Sequence, residues 1–219
     1  MIDLTKHLEF FNPVNVTEPI HIIGLGAIGS HVAEQLARLG INKMYLYDFD
    51  TVDAHNLANQ NYFANQIGML KTVATEINIK TINPDAEIVT FDKGYIAQPL
   101  AGYIFLCVDS IELRNKITTA QLFNHNVTAI LDFRMGLSDA QHYAATQANL
   151  KELLKTMDFT DNEAKEATPV SACGTTLSVI PTVKTIVSIG IANFINHTKE
   201  QPLKSMVLID AFKPDILVM

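Results

Sequence analysis

The chain has 219 residues, 48% of them apolar and 18% charged, with a formal net charge of -7. That balance suits one globular domain of generous size spanning residues 1–219 and excludes intrinsic disorder. It also argues against a nucleic-acid partner, because no basic surplus exists to neutralise phosphates. Two cysteines, Cys107 and Cys173, are too few and too far apart for a disulfide framework or a four-cysteine zinc site, and they suit a reducing, cytoplasmic setting.

The first nine residues carry no basic-then-apolar leader. A short β-branched run at 20–23, bounded by Gly24, reads as a strand. From Ala27 to Leu39 apolar residues recur at helical spacing, and Gly40 closes that helix. Met44 to Tyr47 is the second strand. A polar, Asn-rich stretch from Asp48 to Gln66 follows, then a helix over about 68–82 and a strand over 86–91. The continuous apolar run Tyr103 to Val108 predicts a strand buried on both faces.

Ser110 caps a helix expected to reach about Asn124. Strands are expected at 127–133 and 141–145. Residues 148–170, the most charged part of the chain, read as an exposed crossover or lid rather than core. The stretch 175–195 is the most membrane-like, but Lys184 at its centre and Pro181 in its first half make it a buried helix rather than a span. It is expected to run over 175–196 and to be hydrophobic all round. The tail, 206–218, reads as a hairpin closing the sheet edge. Alternating strands and helices give the expected fold class: α/β, a Rossmann-like, mostly parallel sheet with helices on both faces and a C-terminal antiparallel hairpin.

Gly24-Leu25-Gly26-Ala27-Ile28-Gly29 fits G-x-G-x-x-G between a strand and a helix. In that setting the glycines give a tight turn, a close approach of backbone to phosphate and close helix–strand packing. Asp48, ending the second strand, stands where a ribose-binding carboxylate would sit. This pair alone fits any adenine nucleotide, and a nicotinamide-dependent oxidoreductase satisfies it equally. The continuation separates the two. Asn56, Gln60 and then Lys71 supply amides and a cation suited to a triphosphate, for which a dehydrogenase has no need.

These residues are similar to those of the ThiF/MoeB/HesA family, the adenylyltransferase fold shared with ubiquitin-activating enzymes. The likeness lies in G-L-G-A-I-G-S at 24–30, D-F-D-T-V-x-x-x-N-L-x-x-Q at 48–60, G-x-x-K at 68–71 and Cys107-Val108-Asp109-Ser110 with Arg114. The resemblance implies that Gly24, Gly26, Gly29, Asp48, Asp50, Asn56, Gln60 and Lys71 bind ATP and that Asp109 binds Mg²⁺. It also implies a homodimer acting on a ubiquitin-like or sulfur-carrier protein, with no membrane partner.

Departures are equally legible. The family's arginine before the Gln is Asn59 here, its N-terminal R-Y-x-R-Q stretch has no counterpart, and its paired zinc motifs are missing, so no zinc is expected. Arg134 replaces one arginine or pairs with Asp132 or Asp139; Arg114 anchors a phosphate or pairs with an acid. Cys173 is either a nucleophile that takes the activated acyl group or a packing residue. The expected activity is ATP-dependent adenylylation of a carboxylate, and the alternative is a non-catalytic partner subunit.

Overall fold

The computed structural model describes residues 2–166, 170, 177–213 and 215–219. Eight strands form one sheet in the order β3-β2-β1-β4-β5-β6-β7-β8. They are β1 (Ile20–Ile23), β2 (Lys43–Tyr47), β3 (Glu87–Phe91), β4 (Gly102–Leu106), β5 (Val127–Met135), β6 (Asp139–Ala145), β7 (Met206–Asp210) and β8 (Asp215–Val218). The first five pair in parallel. From β5 onward the pairing is antiparallel, ending in the β7–β8 hairpin at the edge.

The helices are α1 (Ala27–Arg38), α2 (Lys71–Ile82), α3 (Ile111–Ala120), α4 (Leu150–Lys155), α5 (Asp161–Glu166) and α6 (Ile180–Thr198). Period-two alternation sends Ile22, Phe105 and Leu131 to one side of the sheet, where Val32 and Leu36 of α1 and Val187 and Phe194 of α6 cover them. Ile23, Ile104 and Ile130 face the other side, against Ile111 and Ile117 of α3 and Leu150 and Leu153 of α4. The mostly parallel sheet with helices on both faces is the architecture that the alternating pattern predicts. Because β1 is flanked by β2 on one side and β4 on the other, chain direction switches there. The switch point lies between β1 and β4, and ligands of such sheets collect at the carboxyl ends of the strands there.

Several boundaries differ from the sequence expectation. Residues 68–70 are not helical: Gly68 has φ +88°, its N–H bonds to the Val52 carbonyl, and Leu70 bridges to Thr51. α3 stops at Ala120 rather than about 124, and Asn124 turns to donate its Nδ2 to the Leu100 carbonyl. The expected 148–170 crossover is only partly an exposed one, since Leu150, Leu153 and Met157 are buried in the core while α5 has no buried residue. Those three recur at helical spacing but are interleaved with Lys151, Glu152 and Lys155, which masked the apolar face. α6 is not hydrophobic all round: Lys184, Thr185 and Ser188 are exposed on one side. Its expected start at 175–176 lies outside the described residues. Among the described residues, no helix is long and apolar enough to cross a membrane.

α6 lies close on the sheet at Gly190, where an added Cβ would come within 2.1 Å of the Phe133 ring. Beside it His142 is fully buried, its Nδ1 donating to the Asp132 carbonyl and its Nε2 accepting from the Asn193 amide. One acceptor and one donor match a neutral ring. Burial pushes His142 down to about 4, and burial does the same to His21 beside the Tyr47 hydroxyl. Between the free value of 6.5 and about 4, the unfolded chain binds protons that these folded rings refuse. Their contribution is therefore complete above pH 6.5 and is lost as pH falls toward 4. Urea midpoints measured across that window should fall with pH, and His142→Gln should remove part of the slope; an unchanged slope in the variant would contradict this account.

Candidate functional site

The glycines of the β1–α1 turn have separate physical duties. Gly24 has φ +90°, a conformation disfavoured for side-chain-bearing residues, and a Cβ there would sit 2.8 Å from the Cys107 carbonyl group. Gly29 would place its Cβ 1.8 Å from the Gly24 carbonyl oxygen, so it lets α1 close against the turn. At Gly26 a Cβ would meet nothing within 4 Å. The backbone there faces open space at a helix N-terminus, the arrangement that receives an anion.

Leu25, inside this turn, is held from both sides. Its N–H donates to Asp48 Oδ2 at 2.6 Å, and its carbonyl accepts from the Tyr62 hydroxyl at 2.7 Å. Asp48 Oδ1 accepts the Asp50 N–H at 2.8 Å. Burial raises the Asp48 pKa, opposed by those two N–H groups and by nearby Lys71. Each carboxylate oxygen still has a second acceptor site, enough for two ribose hydroxyls. Thr75 of α2 lies 3.1 Å from the Tyr62 hydroxyl and joins α2 to the same network.

Lys71 opens α2. Its N–H and its Nζ both reach Asp50, each at 2.9 Å, through the carbonyl and Oδ2 respectively. The Lys71 side chain is 8% exposed, whereas Asp50 is 51% exposed. Asn56 is buried in the 54–58 turn, with Oδ1 accepting the Asp53 N–H and Nδ2 left to donate elsewhere. Gln60 carries a buried Oε1 with no hydrogen-bond partner. Oxygen and nitrogen of such an amide are interchangeable by rotation, so a solvent-shielded amide is on offer to a polar ligand. Open space at Gly26, this amide and the free lone pairs of Asp48 together fit a nucleotide with its polyphosphate at the turn.

The structure joins Gly24, Gly26, Gly29, Asp48, Asp50 and Lys71 into one connected cluster. Asp109 is exposed just beyond β4, whose end Gly24 touches at Cys107 and Val108, and it has no side-chain partner among the described residues. No cluster of three His, Cys, Asp or Glu side chains could hold a metal among the described residues. One carboxylate nonetheless suits Mg²⁺, which is commonly held by one or two protein carboxylates together with substrate phosphates.

Arg134 and Arg114 are held by an acid. Both bind the fully buried Asp132, one on each carboxylate oxygen. Arg134 also donates to the Thr156 carbonyl and hydroxyl, and Arg114 to the Leu106 and Val108 carbonyls. The acid-pairing alternatives for these arginines are therefore the ones the geometry contains. Cys107 is core, its thiol pushed up by burial. Cys173 lies outside the described residues. Asn59 donates its side-chain amide to Ser178, just before α6, and His55 is exposed.

Tyr62 and Thr75 are structural members of the site that no motif singled out. Tyr62 had one signal, an aromatic hydroxyl set in an otherwise polar segment.

A family model described as "ThiF family" matches residues 17–215. Ubiquitin-like modifier-activating enzyme 5 of Dictyostelium discoideum is 34% identical over 119 residues, covering 46% of this chain and 31% of that protein. Its Drosophila melanogaster counterpart is 33% identical, covering 46% of this chain and 30% of that protein. The chain thus spans about a third of the length of these relatives. Escherichia coli MccB, solved with ATP, superposes with a TM-score of 0.74 at 17% identity, covering 94% of this chain and 65% of that one. MccB with AMPCPP and MccA gives 0.75 at 16% identity, with the same coverage. At such identity the likeness is one of fold.

Tyr62→Phe should lower stability by about 1 kcal/mol, the net worth of a hydrogen bond whose loss leaves the Leu25 carbonyl short of a donor. Urea unfolding measures it, and an unchanged midpoint would show that the turn does not lean on this hydroxyl.

Proposed function

The chain belongs to the ThiF family, and from that premise we propose that it is an ATP-dependent adenylyltransferase that activates a carboxylate, the C-terminal glycine of a ubiquitin-like or sulfur-carrier protein. The observation that carries this reading is the phosphate turn locked by Asp48 and Tyr62, with Lys71 held at its side on a half-exposed acid. In this reading Asp48 receives the ribose hydroxyls. The Gly26 backbone and the amides of Asn56 and Gln60 receive phosphate oxygens, and Lys71 neutralises charge. The carboxylate attacks the α-phosphorus, an acyl–phosphate bond forms, and the bond to pyrophosphate breaks. Little covalent chemistry falls to the protein, so its contribution is positioning and electrostatics.

Mg²⁺ bound at Asp109 would offset charge on the leaving pyrophosphate and on the attacked phosphate. Asp109 suits this role because it is exposed at a strand carboxyl end and unengaged by any described side chain. The named relatives activate ubiquitin-like modifiers and MccB was solved with MccA, which together support a carboxyl-terminal substrate. We place the chain in the cytoplasm as a homodimer, following the family resemblance and its sparing use of cysteine.

The second reading, a non-catalytic partner subunit, draws on a specific observation: residues 49–70 contain no Lys or Arg, and Arg114 and Arg134 are both committed to Asp132. One assay separates the two. Exchange of labelled pyrophosphate into ATP, stimulated by a carrier protein ending in Gly-Gly, is expected for the wild type and should fall at least ~100-fold in Lys71→Ala and in Asp109→Asn, the scale of losing one preorganised electrostatic group. Mg·ATP binding without exchange for any carrier would favour the partner-subunit reading.

A further inference from the structure

α2 packs on the fold with a largely polar face. Its buried residues are Lys71, Thr72, Ala74, Thr75, Asn78 and Ile79, most of which carry polar groups. On the other side Val73 and Ile77, one turn apart, are 42% and 45% exposed. A surface helix ordinarily turns its apolar stripe to the core and its polar side to water. An apolar stripe left outside is a face short of a cover.

The segment before the helix widens that face. Phe63, Ile67 and Met69 are exposed as well. The Gln66 amide donates to the Ala74 carbonyl and to Asn78 Oδ1, and Asn78 Nδ2 donates to the Asn61 carbonyl, so residues 61–66 are tied to the middle of α2. The five apolar side chains are thereby brought to one region of the surface. Aromatic and Met side chains with little charge among them are the composition of interface cores.

Charge says what covers it. Residues 54–70 contain no Lys, Arg, Asp or Glu. The exposed side of α2 adds Glu76 and Lys80, which pair with each other at 2.7 Å and cancel. The chain as a whole carries -7. Two copies therefore repel each other through an average face and meet no such repulsion here. A basic partner gains nothing from a neutral face, whereas a like-charged one needs it. Glu76 and Lys80 also stand on the same side of the helix as Val73 and Ile77. In a two-fold contact both copies present the same residues, so with the two α2 helices antiparallel the acid of one meets the base of the other.

We propose that this face, centred on Val73 and Ile77, is where the chain binds a second copy of itself, with the two α2 helices antiparallel across the axis. The proposal rests on the homodimer of the reading above and not on the chemistry of adenylation. The face adjoins the candidate site along the chain, because Gln60 precedes it and Lys71 opens the helix that carries it.

Sedimentation equilibrium of the full chain tests it. The wild type should be a dimer, and Ile77→Asp should raise the dimer Kd at least ~30-fold, the scale of losing one hot-spot side chain. The same charge in Leu217→Asp, on the exposed β8 edge, should leave the dimer intact; loss there instead of at Ile77 overturns the proposal. A second arm leaves the apolar side chains alone and carries the test if Ile77→Asp fails to fold. Glu76→Lys and Lys80→Glu should each dimerise more weakly than the wild type, and an equimolar mixture of the two should recover the lost affinity, because the mixed copies carry opposite charges on the shared face. A dimer that Ile77→Asp leaves unchanged, or a mixture no tighter than its components, overturns the face while the homodimer stands. A monomeric wild type overturns the homodimer and the face together. Pyrophosphate exchange, measured separately, reports on adenylation whichever of these holds.

Discussion

The peptide group of Leu25 is the point on which the rest of the site depends. Its N–H is taken by Asp48 from the end of β2 and its carbonyl by Tyr62 from the polar segment beyond. Two elements that never touch along the chain are thereby registered to the phosphate turn, and through Thr75 so is α2. A glycine-rich turn on its own is conformationally loose, and ordering it on ligand binding would consume affinity. Here the ordering is done in the fold. In the proposed reaction Asp48 then has two duties, because the carboxylate that fixes the turn also keeps lone pairs for the ribose.

A second constraint is a buried charge. Asp132 is fully buried and binds two guanidinium groups, one from α3 and one from its own strand. Removing Asp132 would leave two guanidinium groups without their anion, a loss on the order of several kcal/mol. The network therefore ties the ends of β4 and β5 to α3 and, through Thr156, to the end of α4. Asp161 adds a further tie, accepting from Ser110 Oγ and from the N–H groups of Ile111 and Glu112 at the start of α3. The loop that carries Asp109 thus sits on a framework pinned from below and from the side, which suits a group that must stay exposed and yet in place.

The core strands and the phosphate turn were legible because their signals are local. A β-branched run ending in glycine, a helical repeat closed by Gly40 and a serine one residue before α3 each state their structure within a few positions, and Ser110 Oγ does accept from Leu113 N–H. The family match over residues 17–215 agrees with the motifs that pointed to it. What was not legible depends on contacts distant in sequence. Arg114 and Asp132 meet only because β4 and β5 lie side by side, and Tyr62 meets Leu25 across 37 positions. The burial of α4 was hidden by charged residues that point away from it. The commitment of Arg114 to Asp132 does not follow from spacing, whereas Arg134 stands two residues from that acid on the same strand.

Charge pairing decides which cations an incoming polyphosphate can recruit. Five of the described bases face an acid: Arg114 and Arg134 face Asp132, His31 and Arg38 face Glu34, and Lys71 faces Asp50. These pairs are not equivalent. Asp132 has no exposure to water, and Glu34 is 16% exposed. Asp50 is 51% exposed, so water could take over its solvation if Lys71 paired with another anion. Lys71 is therefore the base whose acid partner is most open to water, and the arginines are the more deeply held ones. With residue 59 uncharged, neutralisation in the proposed reaction falls to Lys71, to the backbone N–H groups at Gly26 and to a divalent ion at Asp109. Each of these lies toward the carboxyl ends of the parallel strands, where ligands of such sheets collect.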